Sequence, residues 1–296
     1  MELFANLTDA VRDPAAWSRE REDEGWHGLG CADHYLSVGR SVRGFPHLWA
    51  SLGAMAAVTT RVQLQSAFGN NLVRSPVEFA QAALMVHAQS GGRMEAGLGA
   101  GWARAELEAA GLPFPDGRTR ARMLREALLI VRDLLRTGTC RFEGEHYRVD
   151  VPVLGPLTDP PPPLVASVGS PWTIRNVTPL LDRVEVMIGS TFRSGANDLS
   201  ALGAATLDDV CSMVSAVREA APDIPVSLVG FSAAGAGPDV DKMRAALGDQ
   251  LYSSFVGEPA AVAEALRTTA EAAGADRVQV IAWTPGTFEA LAPELI

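Results

Sequence analysis

Lysine is almost absent from this chain: Lys242 is the only one, so 24 of the 25 basic residues are arginine. Acidic residues outnumber basic ones by 35 to 25, which gives a formal net charge of -10. Affinity for nucleic acid comes mostly from clustered Lys and Arg side chains that neutralise phosphates. The charge balance therefore argues against nucleic acid and favours small molecules as partners.

Cysteine is also scarce, and Cys31, Cys140 and Cys211 are far apart without CxxC spacing. We expect buried thiols and neither a disulfide framework nor a metal site. No apolar run reaches the roughly 18 residues of a membrane span, and the N-terminus lacks the basic start and apolar stretch of a signal peptide. We therefore expect no membrane partner and, by default, a cytoplasmic location.

Short apolar runs alternate with helical patterns along all 296 residues. This alternation predicts βαβ units and a parallel sheet. Eight strands without a linker favour an α/β fold, a single-domain (β/α)8 TIM barrel over residues 1–296. The predicted strands lie near Leu3–Leu7, Gly28–Cys31, Val62–Ala67, Met94–Gly97, Leu164–Ser167, Arg183–Ile188, Val226–Val229 and Val278–Ile281.

Two segments interrupt the alternation and predict insertions after the fourth and sixth strands. Residues 139–163 have the pattern of a β-hairpin followed by a proline-rich approach to the fifth strand, and residues 189–206 are polar and contain glycine. Insertions after barrel strands commonly carry specificity or lids.

The segment "SGGRMEAGLGAGW", residues 90–102, contains five glycines. The dinucleotide fingerprint GxGxxG fails in both registers, because Trp102 or Arg104 stands at its last position. One interpretation is a tight turn chosen for close packing. The other is bare backbone at the catalytic face of a barrel, open to a flat ligand or a phosphate.

Two further segments follow predicted strands. "SVGSPW" has Gly169 and Ser170 before a helix start, where free N–H groups favour an anion. "CADHY" has Asp33 and His34 just beyond the second strand, and a His beside a carboxylate suits proton transfer. A histidine at a strand end is more often structural, so both interpretations stay open.

Six segments, in this order, resemble the luciferase-like flavin and F420-dependent oxidoreductases. They are "CADHY", "AAVTTRVQLQSAFGNNLVRSP", "SGGRMEAGLGAGWARAELEAAGLPF", "RARMLREALLIVRDLLRTGTCRFEGEHYRV", "LVASVGSPW" and "GEPAAVAEALR". The resemblance extends over nearly the whole chain and is most specific over residues 59–149. Its strength lies in the order and spacing of the motifs together.

The resemblance implies a TIM barrel whose C-terminal mouth holds the deazaflavin F420 or FMN. It implies a non-prolyl cis peptide between Ala67 and Phe68, and it makes His34 the active-site base or hydrogen-bonding group. Trp102 and Phe192 are expected to face the substrate. The positions expected to line the cofactor are Asp33, Ala67, Phe68, Asn70, Ala100, Gly101, Gly169, Ser170, Trp172 and Thr173.

The expected activity is F420-dependent hydride transfer to or from a small, apolar or flat organic substrate. Trp102 stands where some F420-dependent dehydrogenases carry an acid, and an indole cannot take its place, so sugar-phosphate chemistry is not expected. The alternatives are an FMN-dependent monooxygenase and a relative that has kept the fold without cofactor or reaction. The expected assembly is a homodimer.

Overall fold

A closed barrel of eight parallel strands forms the centre of the protein. The structure is a computed structural model and describes residues 1–8, 10–36, 44–187 and 199–296. Each strand pairs with the next, and β8 returns to β1 with Leu3 opposite Val278. The predicted TIM barrel is confirmed. The strands are β1 Glu2–Leu7, β2 Gly28–Cys31, β3 Gln63–Ser66, β4 Met94–Gly99, β5 Leu164–Val168, β6 Arg183–Val186, β7 Val226–Ala234 and β8 Arg277–Ala282.

One principal helix follows each strand and covers the outside of the barrel. These helices are α1 Pro14–Asp23, α2 Leu48–Val58, α3 Pro76–Gln89, α4 Gly117–Thr137, α5 Pro171–Val177, α6 Leu207–Ala220, α7 Pro259–Ala273 and α8 Thr287–Leu295.

Local sequence determines where these helices begin and end. Proline occupies the first turn of α1, α3, α5 and α7, where its missing N–H costs no hydrogen bond. Asp116 caps the start of helix α4, because its carboxylate accepts the N–H groups of Arg118 and Thr119. Gly138, with φ +69°, caps its end.

The insertion predicted after the fourth strand contains the expected hairpin, with Cys140–Glu143 antiparallel to Arg148–Val151. Of the second predicted insertion, residues 189–198 lie outside the described residues, and Leu199–Gly203 is a short helix. The sequence did not predict two further helices, Arg104–Ala109 after β4 and Pro238–Leu247 after β7.

The apolar core lies between the barrel wall and the helices. Cys31 and Cys140 are buried as predicted, whereas Cys211 is half-buried because it lies on the outer helix α6. None of the helices that the structure describes combines the length and the apolar composition of a membrane span.

Polar side chains fill the barrel interior. Arg277 on β8 donates two hydrogen bonds to Glu95 on β4, of 2.6 and 2.9 Å, and its Nε donates to Glu2 at 2.8 Å. Gln279 on β8 donates to Gln65, which also accepts from Arg277 at 3.4 Å. These bonds satisfy groups that would be costly to bury alone.

Glu185 on β6 is a buried acid of this interior. The nearby arginines do not fully offset the cost of burying its charge. Burial raises the pKa of Glu185 to about 8, against the opposing attraction of Arg277. One of its carboxyl oxygens has no hydrogen-bond partner, and Ser227, its register neighbour on β7, has an unpartnered hydroxyl as well. Burial therefore favours the protonated form of Glu185.

We expect Glu185→Gln to remove a pH dependence from the stability of the fold. The folded pKa lies above the unfolded value of 4.5, so this group's stabilisation is complete below pH 4.5 and is lost as the pH rises toward 8. The loss is at most about 1.4 kcal/mol per pH unit. Urea unfolding at pH 5 and pH 8 measures the free energy of unfolding of both proteins. Relative to the wild type, the variant should be more stable at pH 8 than at pH 5. An equal difference at both pH values would contradict a buried protonated Glu185.

Candidate active site

The C-terminal ends of β2, β3 and β4 converge at one mouth of the barrel. The peptide between Ala67 and Phe68 is cis, at the position that the sequence resemblance indicated. The carbonyl oxygen of Phe68 accepts the N–H of Asp33 at 3.2 Å. Asn70 pairs with Gly99 of β4, so the segment after β3 lies against the end of β4.

Asp33 is buried and occupied by protein donors. Its Oδ2 accepts the N–H of Asn70 at 3.0 Å and Nε of Arg74 at 3.1 Å, and its Oδ1 accepts Nη2 of Arg74 at 3.0 Å. This bidentate pair joins the segment after β2 to the segment after β3. The geometry gives Asp33 a structural role at the mouth, whatever else it contacts.

His34, next along the chain, meets a carboxylate that the sequence did not single out. Its Nδ1 lies 2.8 Å from Oε2 of Glu106, and the side chains are 17% and 1% exposed. Oε1 of Glu106 accepts the backbone N–H groups of Tyr35 and of Leu36, the latter at 3.2 Å. A single buried acid thus holds the segment that carries His34.

Two aromatic rings flank His34. Trp102 and Phe45 stand edge-on to the imidazole, with ring centroids 5.5 and 5.7 Å away. Trp102 lies just after β4, which places an apolar wall beside the candidate base. Phe192, the other residue predicted to face the substrate, lies outside the described residues.

The glycines of β4 and its exit are required by the packing of the chain itself. A Cβ on Gly97 would collide with the carbonyl oxygen of Ser66, and one on Gly99 would lie 3.2 Å from Cβ of Phe68. Gly101 has φ +76°, and its Cβ would lie 2.5 Å from Oδ1 of Asn70. These contacts match the close-packing interpretation, and Ala100 lies between them, half-buried.

Gly169, Ser170, Trp172 and Thr173 lie at the C-terminal end of β5 and the start of α5. Ser170 caps the helix by accepting the N–H of Thr173 at 3.2 Å. The hydroxyl of Thr173 accepts the N–H groups of Gly169 at 3.3 Å and Ser170 at 3.1 Å. These donors are already engaged within the turn, and Trp172 packs partly buried against the core.

Two arginines lie close to one aromatic ring beyond β4. The guanidinium carbons of Arg104 and Arg120 lie 4.5 and 4.2 Å from the ring centroid of Phe114. Burial, followed by the nearby positive charge of Arg104, lowers the pKa of Arg120, and the Nε of Arg120 is buried without a partner. This pair concentrates positive charge on an otherwise acidic protein and would accommodate an anion.

Residues 5–190 match the family described as luciferase-like monooxygenase, and the chain belongs to that family. Among curated relatives, it is 28% identical over 160 residues to an F420-dependent glucose-6-phosphate dehydrogenase of Amycolatopsis mediterranei. That alignment covers 53% of this chain and 48% of the relative, so the chain spans about half the length of the curated relatives it matches.

Solved structures with the same fold include enzymes of two kinds. An F420-dependent secondary alcohol dehydrogenase bound to an F420-acetone adduct superposes with a TM-score of 0.76 at 18% identity, covering 100% of this chain and 99% of the other. The EDTA monooxygenase of a Chelativorans species gives 0.75 at 15% identity, covering 100% and 93%. At these identities the similarity establishes the fold alone.

Sequence patterns did not single out Glu106, Arg74 or the arginine pair. Glu106 follows Trp102 by four residues, and this nearness in sequence to the end of β4 is a signal that could have pointed to the mouth. Arg74 had no such signal, since a single arginine in a loop predicts no partner. Among the described residues, no three His, Cys, Asp or Glu side chains are grouped to hold a metal ion.

We expect Gly101→Ala to destabilise the protein by about 2 to 4 kcal/mol, because a strained φ costs about 1 kcal/mol and overpacking a further 1 to 3. Gly111→Ala is the matched control: Gly111 has φ +70°, but nothing lies within 4 Å of its Cβ position. Denaturant unfolding of both variants separates the close approach at Asn70 from backbone strain. Equal losses would show that the approach at Gly101 is unimportant.

Proposed function

We propose that this protein is an oxidoreductase that uses F420 to transfer hydride to or from a small, flat or apolar organic substrate. The observation that carries the proposal is the His34–Glu106 pair, set against Trp102 at the C-terminal mouth of a luciferase-like barrel. The name of the curated relative supports F420 as the cofactor.

The residues at the mouth fit a phosphorylated tricyclic cofactor. Arg104, whose side chain is 51% exposed, offers guanidinium donors to a phosphate, and Arg120 on the same Phe114 ring adds positive charge nearby. The ring would lie at the ends of β3 and β4, near Ala67, Phe68, Asn70, Ala100 and Gly101. Gly169, Ser170, Trp172 and Thr173 would border it from β5, with the hydroxyl groups of Ser170 and Thr173 as hydrogen-bonding groups.

F420, when bound, supplies a two-electron hydride acceptor or donor. The chain's own contribution is to hold the substrate beside that ring and to manage one proton. For a substrate that passes between alcohol and carbonyl, Nε2 of His34 would take the hydroxyl proton of the alcohol. In the reverse direction His34 returns that proton. Trp102 and Phe45 pack edge-on against the imidazole and favour an apolar substrate beside it.

A second candidate is a monooxygenase that uses reduced FMN. The family description and the fold shared with the EDTA monooxygenase favour it. The same mouth would serve, because FMN also presents a tricyclic ring and a phosphate. A barrel that binds neither ligand would fit the third alternative, a non-catalytic relative.

We expect F420 to bind with micromolar or tighter affinity in a fluorescence titration, and NAD not to bind comparably. FMN should bind at least tenfold more tightly than riboflavin, because only FMN carries the phosphate for the arginine pair. Arg104→Gln should remove that difference. Arg118→Gln changes an exposed arginine in the first turn of α4; it is the control and should keep the difference.

Two results would contradict the proposal. Binding of neither F420 nor FMN would remove the enzyme interpretation. Binding of F420 with turnover of glucose 6-phosphate, and none of apolar ketones or secondary alcohols, would refute the substrate class.

We also propose that the protein is a homodimer, and the composition of α2 supports this. This helix has no charged residue, and its outward positions are small: Ala50, Gly53, Ala54 and Ala57. A helix that is apolar all round is normally covered on both sides. We propose that a second copy of the chain covers this face.

Gly53→Glu should convert the dimer to a monomer in light scattering. The new side chain has room in the single chain, since nothing lies within 4 Å of its Cβ position. Ala260→Glu on the exposed surface of α7 is the matched control and should leave the mass unchanged. A wild-type protein that is monomeric at all concentrations would disprove the dimer.

A further inference from the structure

We propose that Glu106 is a positioning residue that keeps the ring proton of His34 on Nδ1 and leaves the lone pair on Nε2. The part of this inference that concerns catalysis rests on the proposed function. The tautomer itself is a property of the protein without cofactor or substrate, so it can be tested separately.

The hydrogen bonds of Glu106 determine which ring nitrogen carries the proton. A carboxylate only accepts, so Nδ1, 2.8 Å from Oε2, must be the donor. The other oxygen is occupied by the N–H groups of Tyr35 and Leu36. Among the described residues, every bond to this carboxylate therefore comes from an N–H donor of the segment 34–36.

The surroundings keep the pair from rearranging. The Glu106 side chain is 1% exposed, and Leu107 beside it is fully buried, which anchors the helix Arg104–Ala109. Trp102 and Phe45 restrict rotation of the imidazole by their edge-on contacts. A neutral His in a fixed tautomer presents one defined proton-accepting atom, as a general base requires.

Glu106→Gln is the variant that reverses the tautomer with the least change in shape. Its carbonyl oxygen can still accept the N–H groups of Tyr35 and Leu36. Its amide nitrogen then faces Nδ1 and must donate, which forces the ring proton onto Nε2. Glu108→Gln is the matched control: Glu108 lies on the same helix, is exposed, and is 3.7 Å from its partner Arg104.

The first measurement is nitrogen NMR of histidine-labelled protein without cofactor, with His34 assigned by loss of its signals in His34→Ala. We expect the Nδ1–H tautomer in the wild type and in Glu108→Gln, and the Nε2–H tautomer in Glu106→Gln. An Nε2–H tautomer in the wild type, or no change in Glu106→Gln, would overturn the proposal whether or not the protein binds a cofactor.

The second measurement is steady-state kinetics with F420. We expect Glu106→Gln and His34→Ala each to lower kcat by about a hundredfold or more, with the cofactor Kd changed less than threefold. The double variant should be no slower than His34→Ala, because Glu106 acts through that ring. Multiplying effects, or an equal loss in Glu108→Gln, would overturn the positioning role. If the wild type shows no F420 activity, the proposed function fails, and the NMR result alone decides the tautomer.

Discussion

Arg277 donates two hydrogen bonds to Glu95 across the inside of the barrel, from β8 to β4 on opposite sides of the closed sheet. A barrel of eight strands has an interior that side chains must fill. Here that filling is largely polar, so each group has to find a partner within the barrel. The positions of Glu2, Gln65 and Gln279 follow from this constraint, since each bonds to Arg277 or to a neighbour of it.

Outside the barrel, several carboxylates accept backbone N–H groups from a distant segment of the chain. Glu22 on α1 accepts the N–H groups of Thr60, Arg61 and Val62. Glu126 on α4 accepts those of Glu145, His146 and Tyr147 at the hairpin turn. Each acid ties a loop to a helix and satisfies backbone donors that would otherwise lack partners. Glu106 does the same for Tyr35 and Leu36.

The fold could be predicted from apolar periodicity and from the residues that start helices, because both signals depend only on residues close together in the chain. The eight apolar runs, and prolines such as Pro76 and Pro259, placed the strands and helix starts close to where the structure has them. The helix Arg104–Ala109 was missed because six residues carry little periodic signal, and Pro238–Leu247 was missed although it is as long as α1. Strand β7 extends to Ala234, beyond its prediction, since its last residues are small and all buried.

The site was less predictable because its contacts join segments that are far apart in the chain. His34 was singled out from its place at a strand end, but its partner lies 72 residues later on an unpredicted helix. The bidentate contact of Asp33 with Arg74 likewise depends on how the loops after β2 and β3 meet. Glycines 97, 99 and 101 indicated that other atoms come close to the backbone there, but not which atoms. In the structure these atoms belong to the segment after β3 and to the end of β3.

Glu106 differs from the other carboxylates that tie loops, because one of its oxygens is left for a side chain. Within the described part of the chain, Glu22 and Glu126 accept only the backbone donors named above, whereas Glu106 accepts two such donors on Oε1 and an imidazole on Oε2. Anchoring the loop therefore also orients the histidine, since the bonds share one rigid carboxylate. A loop that could move independently of Glu106 would leave the ring free to change tautomer. Linking the two makes the position of the His34 ring proton a consequence of the fold.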